Sequence, residues 1–439
     1  MKTQVMILVY LLAGSLLSAA EQTAWTQKQG DFTVQCTTNC PDAIGKLNTP
    51  VKIAVTVKGT RKGFFSARFY HNGREIGKKM YVPMEQTATF SASLVNPGVL
   101  YVRYTISDAD KKHILGKNKR VLQGGLGVLV APEALKPGNP FPPADFDAFW
   151  QKKRKELDQV PVKAAERTLT LPKGFDHIRC ADVTVDCTGG TPVTGVLTMP
   201  KNAAKKSLPA VVYFNGAGVY SAFPHPYIAR KAIVFDMNAH GILNGQNAKY
   251  YQDLSNGKLK NYKIALTGNP DKDYFTWMLV RVMRALDYVK TIPEWNGRDL
   301  YVRGRSLGGA QALAAAALDH DVTLCLAEVP ALCDHGGRLV NRQPGWPRFL
   351  DSADVKKIDK EKLKEVSYFD IVFFAPKIKC PVYVTAGLID NTCLSSGVYA
   401  MFNRIPRDTP KAITIMPNCD HADIIPVSGR TEMERLLQK

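Results

Sequence analysis

Five short runs in the second half of the chain constrain its architecture more than any other feature. LPAVVYFNGAG (208–218), AIVFDMNAHG (232–241), DLYVRGRS (299–306), TLCLAEVP (323–330) and CPVYVTAGLID (380–390) are apolar over successive positions and stop at glycine or polar residues. A half-solvated strand would alternate; a continuous run suits a strand buried on both faces of a parallel sheet. Between the runs stand helical patterns, TWMLVRVMRALDYVKTI (276–292) and LGGAQALAAAALD (307–319). Strands alternating with helices predict a doubly wound, mostly parallel α/β domain over residues 144–439. Its first helix is expected in ADFDAFWQKKRKEL, with Asp145 as cap, Phe146, Phe149, Trp150 and Leu157 on one face, and the QKKRKEL cations on the wet one.

Residues 21–130 read differently. VKIAVTVKG alternates, SARFYHNGREIGKKMYV predicts a hairpin around Asn72-Gly73, and TATFSASLV and LYVRYTISD continue the strand pattern with no amphipathic helix. A small all-β sandwich of immunoglobulin-like type is expected here. The proline-rich stretch 131–143 reads as a linker. Residues 1–20, MKTQVMILVYLLAGSLLSAA, have a basic start, an apolar run from Val5 to Leu17 and small residues at Ser18 and Ala20. That is the layout of a signal peptide cut after Ala20, and it predicts export to the periplasm or the exterior. The run is short for a membrane anchor, and no other segment is apolar enough to span, so no stable membrane span is expected after its removal.

The 58 basic residues exceed the 39 acidic ones by 19, a field that favours anionic partners. Export, and the lack of a basic cluster interleaved with aromatics along the sequence, argue against nucleic acid. Nine cysteines show no zinc-site spacing. Cys36 with Cys40, Cys180 with Cys187, and Cys325 with Cys333 are the candidate disulfides, while Cys380 and Cys419 read as buried apolar residues.

Ligands bind such sheets at the carboxyl ends of the strands, where Gly304-Arg305-Ser306-Leu307-Gly308 stands. A sharp strand-to-helix turn needs small flanking residues, and it would present the Ser306 hydroxyl at the helix's positive end. G-x-S-x-G alone is weak. Two later strand ends strengthen it: CPVYVTAGLIDNTC delivers Asp390, and AITIMPNCDHAD delivers His421. Ser, Asp, His is the chain order of an α/β-hydrolase triad. An alcohol needs an imidazole to take its proton, and the carboxylate orients that imidazole and stabilises its cation. The backbone N–H groups of Leu307 and of Ala217, in the loop Asn215-Gly216-Ala217-Gly218, are the candidate oxyanion donors.

The segments FPPADFDAFWQKKRKELDQVPV, GNPDKDYFTWMLVRVMRALDYV through GRSLGGAQALAAAAL, AEVPALCDH, YFDIVFFAPKIKCPVYVTAGLIDNTC and MPNCDHAD resemble, in order, the acetyl xylan esterase/cephalosporin C deacetylase family. The resemblance covers residues 140–435. It implies a serine carbohydrate esterase that removes acetyl groups from sugar hydroxyls without cofactor or metal, with Ser306, Asp390 and His421 in the catalytic positions. The chain departs from the family at Leu307, where Gln is usual, and at Asn215-Gly216-Ala217, where His-Gly-Tyr is usual. It departs again at NAHG (238–241), where Arg-Gly-Gln is usual, and at Ala422, where Glu is usual. These mark a divergent branch, and the Leu307 side chain is a place where substrate preference would diverge. Tyr220, Phe223 and Trp346 are expected as buried packing, or alternatively as sugar-stacking surface. His240 is expected as a loop or pocket residue, and Asp236 and Glu328 as structural hydrogen-bonding groups.

The reading is therefore an exported serine esterase acting on an acetylated oligo- or polysaccharide through an acyl-enzyme. A peptidase or amidase of the same architecture, and a non-catalytic glycan-binding homologue, are the alternatives.

Overall fold

The computed structural model describes residues 7–10, 23–352, 354–423, 433–434 and 437. The segment expected to be a signal peptide, and its expected cleavage point, lie outside them, apart from the backbone of Ile7–Tyr10. Two five-stranded sheets form the N-terminal region. In spatial order the first is β1 (Ile7–Tyr10), β8 (Thr87–Ala92), β5 (Val51–Gly59), β3 (Phe32–Thr38) and β2 (Thr23–Gln29). The second is β4 (Ile44–Gly45), β10 (Gln123–Val130), β9 (Gly98–Ser107), β6 (Phe64–His71) and β7 (Arg74–Pro83). The alternation of β5 explains its place: Val51, Ile53, Val55 and Val57 turn inward onto Phe65, Phe69, Phe90 and Val102 in one shared core. Asn72 and Gly73 connect β6 to β7 at φ +50° and +84°, the left-handed angles that a tight hairpin needs.

The second region is a nine-stranded sheet in the order β11 (Ala164–Thr168), β12 (Ile178–Val185), β13 (Val193–Pro200), β15 (Ile233–Asn238), β14 (Leu208–Phe214), β16 (Trp295–Arg305), β17 (Leu324–Glu328), β18 (Val382–Gly387) and β19 (Lys411–Met416). From β15 to β19 every pair is parallel. The stretch 164–200 departs from strand–helix alternation: β11, β12 and β13 pair antiparallel, and β13 lies antiparallel on β15. The connection 186–192 is too short for a crossover helix, so the chain turns back on itself.

Among the described residues, seven helices accompany this sheet: α1 (Phe146–Asp158), α2 (Ala248–Asn256), α3 (Tyr274–Thr291), α4 (Leu307–Leu318), α5 (Lys360–Ser367), α6 (Ile371–Phe374) and α7 (Ser395–Phe402). Trp150 of α1, Leu279 of α3, Leu313 of α4 and Phe374 of α6 share the larger core on one face with Val212 and Val302 of the strands. On α4, Leu307 through Ala317 are all buried, which is why its residues are so small. Val211, Val234, Tyr301 and Leu324 belong to the core of the opposite face.

Several local expectations change. All nine cysteines are free thiols. Cys180 packs in one small cluster while Cys187 leans on the main core, so that pair is separated by packing. Burial pushes the Cys36 thiol up to about 12. Asp145 stands at the start of α1, but its carboxylate makes no cap; it accepts instead from the Tyr368 hydroxyl at 2.6 Å. Lys153, expected on the wet face, is buried, pairing with Asp271 at 2.5 Å and lying over the Trp277 ring. The linker 131–143 is docked on the α/β region: Gly138 N–H donates to Asp334 Oδ1 at 2.6 Å, and Asn403 donates to the carbonyls of Pro132 and Leu135.

Candidate active site

Ser306 stands alone between β16 and α4 at φ +58°, ψ −118°. A β-carbon-bearing residue in that region is strained, and the strain holds only where neighbours over-determine it. They do so here. Ser306 N–H donates to the Glu328 carbonyl at 2.8 Å, and its own carbonyl accepts from Ala310 and Ala331 at 3.1 and 2.9 Å. The flanking glycines are obligatory on contact grounds. A β-carbon on Gly304 would lie 2.2 Å from the Gly308 backbone, and one on Gly308 would lie 2.0 Å from the Phe214 carbonyl oxygen.

The two other predicted residues converge on this turn. His421, after β19, places Nε2 3.0 Å from Ser306 Oγ and Nδ1 2.8 Å from Asp390 Oδ2. A carboxylate only accepts, so Nδ1 carries the hydrogen, and the free lone pair on Nε2 faces the serine hydroxyl. Asp390 is buried at the end of β18. Its second oxygen, Oδ1, accepts from the Thr392 and Cys393 amides at 2.7 and 2.8 Å. The serine hydroxyl also lies against the Cys393 thiol, which burial and the Asp390 charge push well up, keeping it neutral.

The loop after β14 meets the first turn of α4. Gln311 Nε2 donates to the Asn215 carbonyl at 2.9 Å, and the Gly308 contact sets the two backbones side by side. Leu307 opens the helix, where amide groups have no preceding carbonyl in the helix. His240 holds the same loop from below: Nε2 lies 2.8 Å from the Gly218 carbonyl and Nδ1 2.8 Å from Tyr274 Oη. Burial lowers its pKa to about 4, so it is a neutral ring that donates to Gly218 and accepts from Tyr274. That is the loop role expected of it. The Leu307 side chain, in contrast, lies wholly within the main core, so it cannot meet substrate directly.

Asp236 and Glu328 are structural groups. Asp236 pairs with His225 at 2.6 Å, and Glu328 takes two bonds from Arg303 at 3.0 and 2.7 Å. Tyr220 donates to the Gly216 carbonyl at 3.1 Å, and Trp346 packs edge-on against Phe275. Phe223 departs from the packing expectation: it is 52% exposed, stacked beside Tyr220.

Sequence reading missed the groups that fasten the two loops. Arg305 donates to the His421 carbonyl, and Asp420 Oδ1 accepts from the His421 amide at 2.7 Å. From the N-terminal region, Arg103 on β9 pairs with the Asp420 carboxylate and donates to the Ile389 carbonyl at 3.1 Å. Tyr101 hydrogen-bonds Asn391, and Gly127 N–H donates to the Pro417 carbonyl at 2.8 Å. A β-carbon on Gly127 would fall 2.4 Å from Leu388 Cβ. A glycine-rich strand such as QGGLG often marks a close backbone approach, and that was the one available signal.

Residues 135–438 match the model of the acetyl xylan esterase family. The chain belongs to the acetyl xylan esterase family. It is 31% identical over 342 residues to the acetyl esterase Axe7A of Xylanibacter ruminicola, covering 75% of this chain and 72% of that protein. The fold is shared with the acetyl xylan esterase from Paenibacillus sp. R4 (TM-score 0.56, 23% identity, 70% of this chain and 98% of that one) and with acetyl xylan esterase 1 from Thermoanaerobacterium sp. JW/SL YS485 (TM-score 0.57, 22% identity, 70% and 97%). As an acetyl xylan esterase family member the chain is a carboxylic ester hydrolase that removes acetyl groups. Among the described residues no helix is long and apolar enough to cross a membrane.

Proposed function

We propose that this protein is an exported serine esterase that deacetylates O-acetylated saccharides through a Ser306–His421–Asp390 triad and an acyl-enzyme. The hydrogen-bonded line Asp390–His421–Ser306, set on a strained turn, is the observation that carries the reading. Ser306 Oγ attacks the acetyl carbonyl as His421 Nε2 takes its proton. The tetrahedral oxyanion is received by the Leu307 and Ala217 amides. His421 then returns the proton to the departing sugar oxygen, and water, activated by the same ring, releases acetate. Asp390 never takes the proton; it fixes the tautomer and stabilises the imidazolium.

The N-terminal region reads as an immunoglobulin-like sandwich. Its two sheets, largely antiparallel, face each other across one shared core, which supports that reading. Export rests on the leader-like residues 1–20 alone.

The test is acetate release from acetylated xylo-oligosaccharides and from acetylated amino sugars, with Ser306→Ala as control. Release should fall by about 10⁵-fold or more in that variant. Undiminished release would remove Ser306 from the mechanism, and cleavage of peptide amides in place of acetyl esters would overturn the esterase reading.

A further inference from the structure

The outer face of the β10–β9–β6–β7 sheet holds a cleft of about 650 Å³. Arg68, Lys79, Arg103, Lys119 and Arg120 line it together with His113, and no carboxylate does. Arg68 and Arg103 are direct cross-strand partners. Like charges so placed repel and weaken a sheet, so this arrangement has a cost that a counter-anion would relieve. The protein's own carboxylates answer these two arginines but not the other cations of the cleft. Glu75 pairs with Arg68 at 3.2 Å and Asp420 pairs with Arg103. Lys79, Lys119 and Arg120 have no carboxylate partner among the described residues; Lys79 Nζ donates to the Tyr81 hydroxyl at 2.6 Å. Tyr70 lies in the cleft, stacked on Tyr101 with ring centroids 4.7 Å apart, and gives it a flat aromatic wall.

Arg103 joins this cleft to the reacting groups. The same guanidinium that faces the cleft reaches the Ile389 carbonyl, beside Asp390, and the Asp420 carboxylate, beside His421. A polymer whose acetylated unit sits at Ser306 would therefore continue along a cationic surface.

We propose that this cleft binds the carboxylate of an acidic sugar unit, so that the enzyme prefers acetylated polysaccharides bearing uronate residues. The proposal rests on the esterase reading and names its substrate class. A nucleic acid would need several aromatic platforms along the basic track, and this cleft offers one.

The experiment compares kcat/KM for acetylated xylo-oligosaccharides with and without a uronate substituent, in the full chain and in a Lys79→Gln/Lys119→Gln/Arg120→Gln variant. The charged-to-neutral ratio should exceed one in the parent. It should fall about tenfold in the triple variant and likewise in about 0.5 M NaCl, because exposed ion pairs are individually weak and screened. A parent ratio near one, or a ratio unchanged by the three substitutions, would overturn the proposal. If neither saccharide is hydrolysed while Ser306-dependent cleavage of 4-nitrophenyl acetate persists, the saccharide reading itself fails. The cleft is then judged by affinity electrophoresis of Ser306→Ala protein. Retardation by polygalacturonate that the triple variant loses supports the cleft; equal retardation by single-stranded DNA refutes it.

Discussion

Gly308→Ala is the substitution whose effect the structure specifies most closely. The added β-carbon would meet the Phe214 carbonyl oxygen at 2.0 Å and the Asn215 carbonyl carbon at 3.2 Å. An ordinary carbon–oxygen contact is about 3.3 Å, so α4 and the loop after β14 must separate by about 1.3 Å. Both atoms belong to backbone, and no side chain can rotate away. The two amides proposed to receive the oxyanion sit on the two sides of that contact, at Leu307 and Ala217. A misplacement of about 1 Å in a catalytic constellation costs about 10²-fold, so kcat should fall by about that factor. The neighbouring Gly309 is the internal control. Its β-carbon would lie 3.0 Å from the Glu328 carbonyl oxygen and 3.1 Å from Pro330 Cα, a gap that a shift of a few tenths of an ångström opens. Both changes bring the same helix-propensity gain of about 1 kcal/mol, so the contrast isolates the clash. Initial rates on 4-nitrophenyl acetate, with thermal melting of each variant, measure it. If Gly308→Ala keeps kcat as high as Gly309→Ala does, the placement of the donors across this contact is wrong.

Three further outcomes are expected. Arg103→Met removes the tie from the sandwich to both the Asp390 and the His421 loops, so kcat should fall about tenfold with KM for a small ester little changed. Arg103→Lys, a point charge without the fork, should restore only part of it, and full restoration would refute the two-point tie. Melting temperature should fall as pH drops from about 6.5 to about 4. Burial lowers His71 and His240 to about 4 and His335 to about 3, so the unfolded chain binds more protons in that window and stability declines. Asp370, raised to about 7 by burial and the Asp334 charge, Asp273, raised to about 6 by burial, and Asp236, also raised by burial, work the opposite way, so the fall is smaller than the three rings alone would bring. A melting temperature that rises on acidification through that window would contradict the neutral burial of these rings. Finally, all nine cysteines should titrate as thiols in denaturant without prior reduction, and reductant should leave the melting temperature unmoved; fewer thiols would reveal a pairing.

Much of the site was legible because its chemistry is tied to local rules. G-R-S-L-G required small residues for steric reasons that recur at Gly304 and Gly308, and the continuous apolar runs could hardly be other than doubly buried strands. The chain order of Ser306, Asp390 and His421 then followed from strand ends. Less legible were features decided by competing partners. Asp145 had the right type for a cap, yet the Tyr368 hydroxyl claims its carboxylate. Lys153 sat on a nominally wet face, yet Asp271 and Trp277 from distant segments enclose it. Cys180 and Cys187, close in sequence, lie against separate clusters, because strand direction and core side, not spacing, set where a thiol points.

Periodicity, turn sterics and strand-end placement act over a few residues, so the strand and helix types, the sharp serine turn and the candidate triad residues are readable in the amino-acid order. What surrounds them is set by packing. Packing sets Arg103 of the N-terminal β-region against the two loops of the α/β region and gathers scattered cations into one cleft with Arg68 opposite Arg103. Those relations depend on register between strands and on how the β-region packs against the α/β region. No local pattern carries that information, because Arg103 lies hundreds of residues from Ile389 and Asp420 and faces Arg68 only through strand pairing.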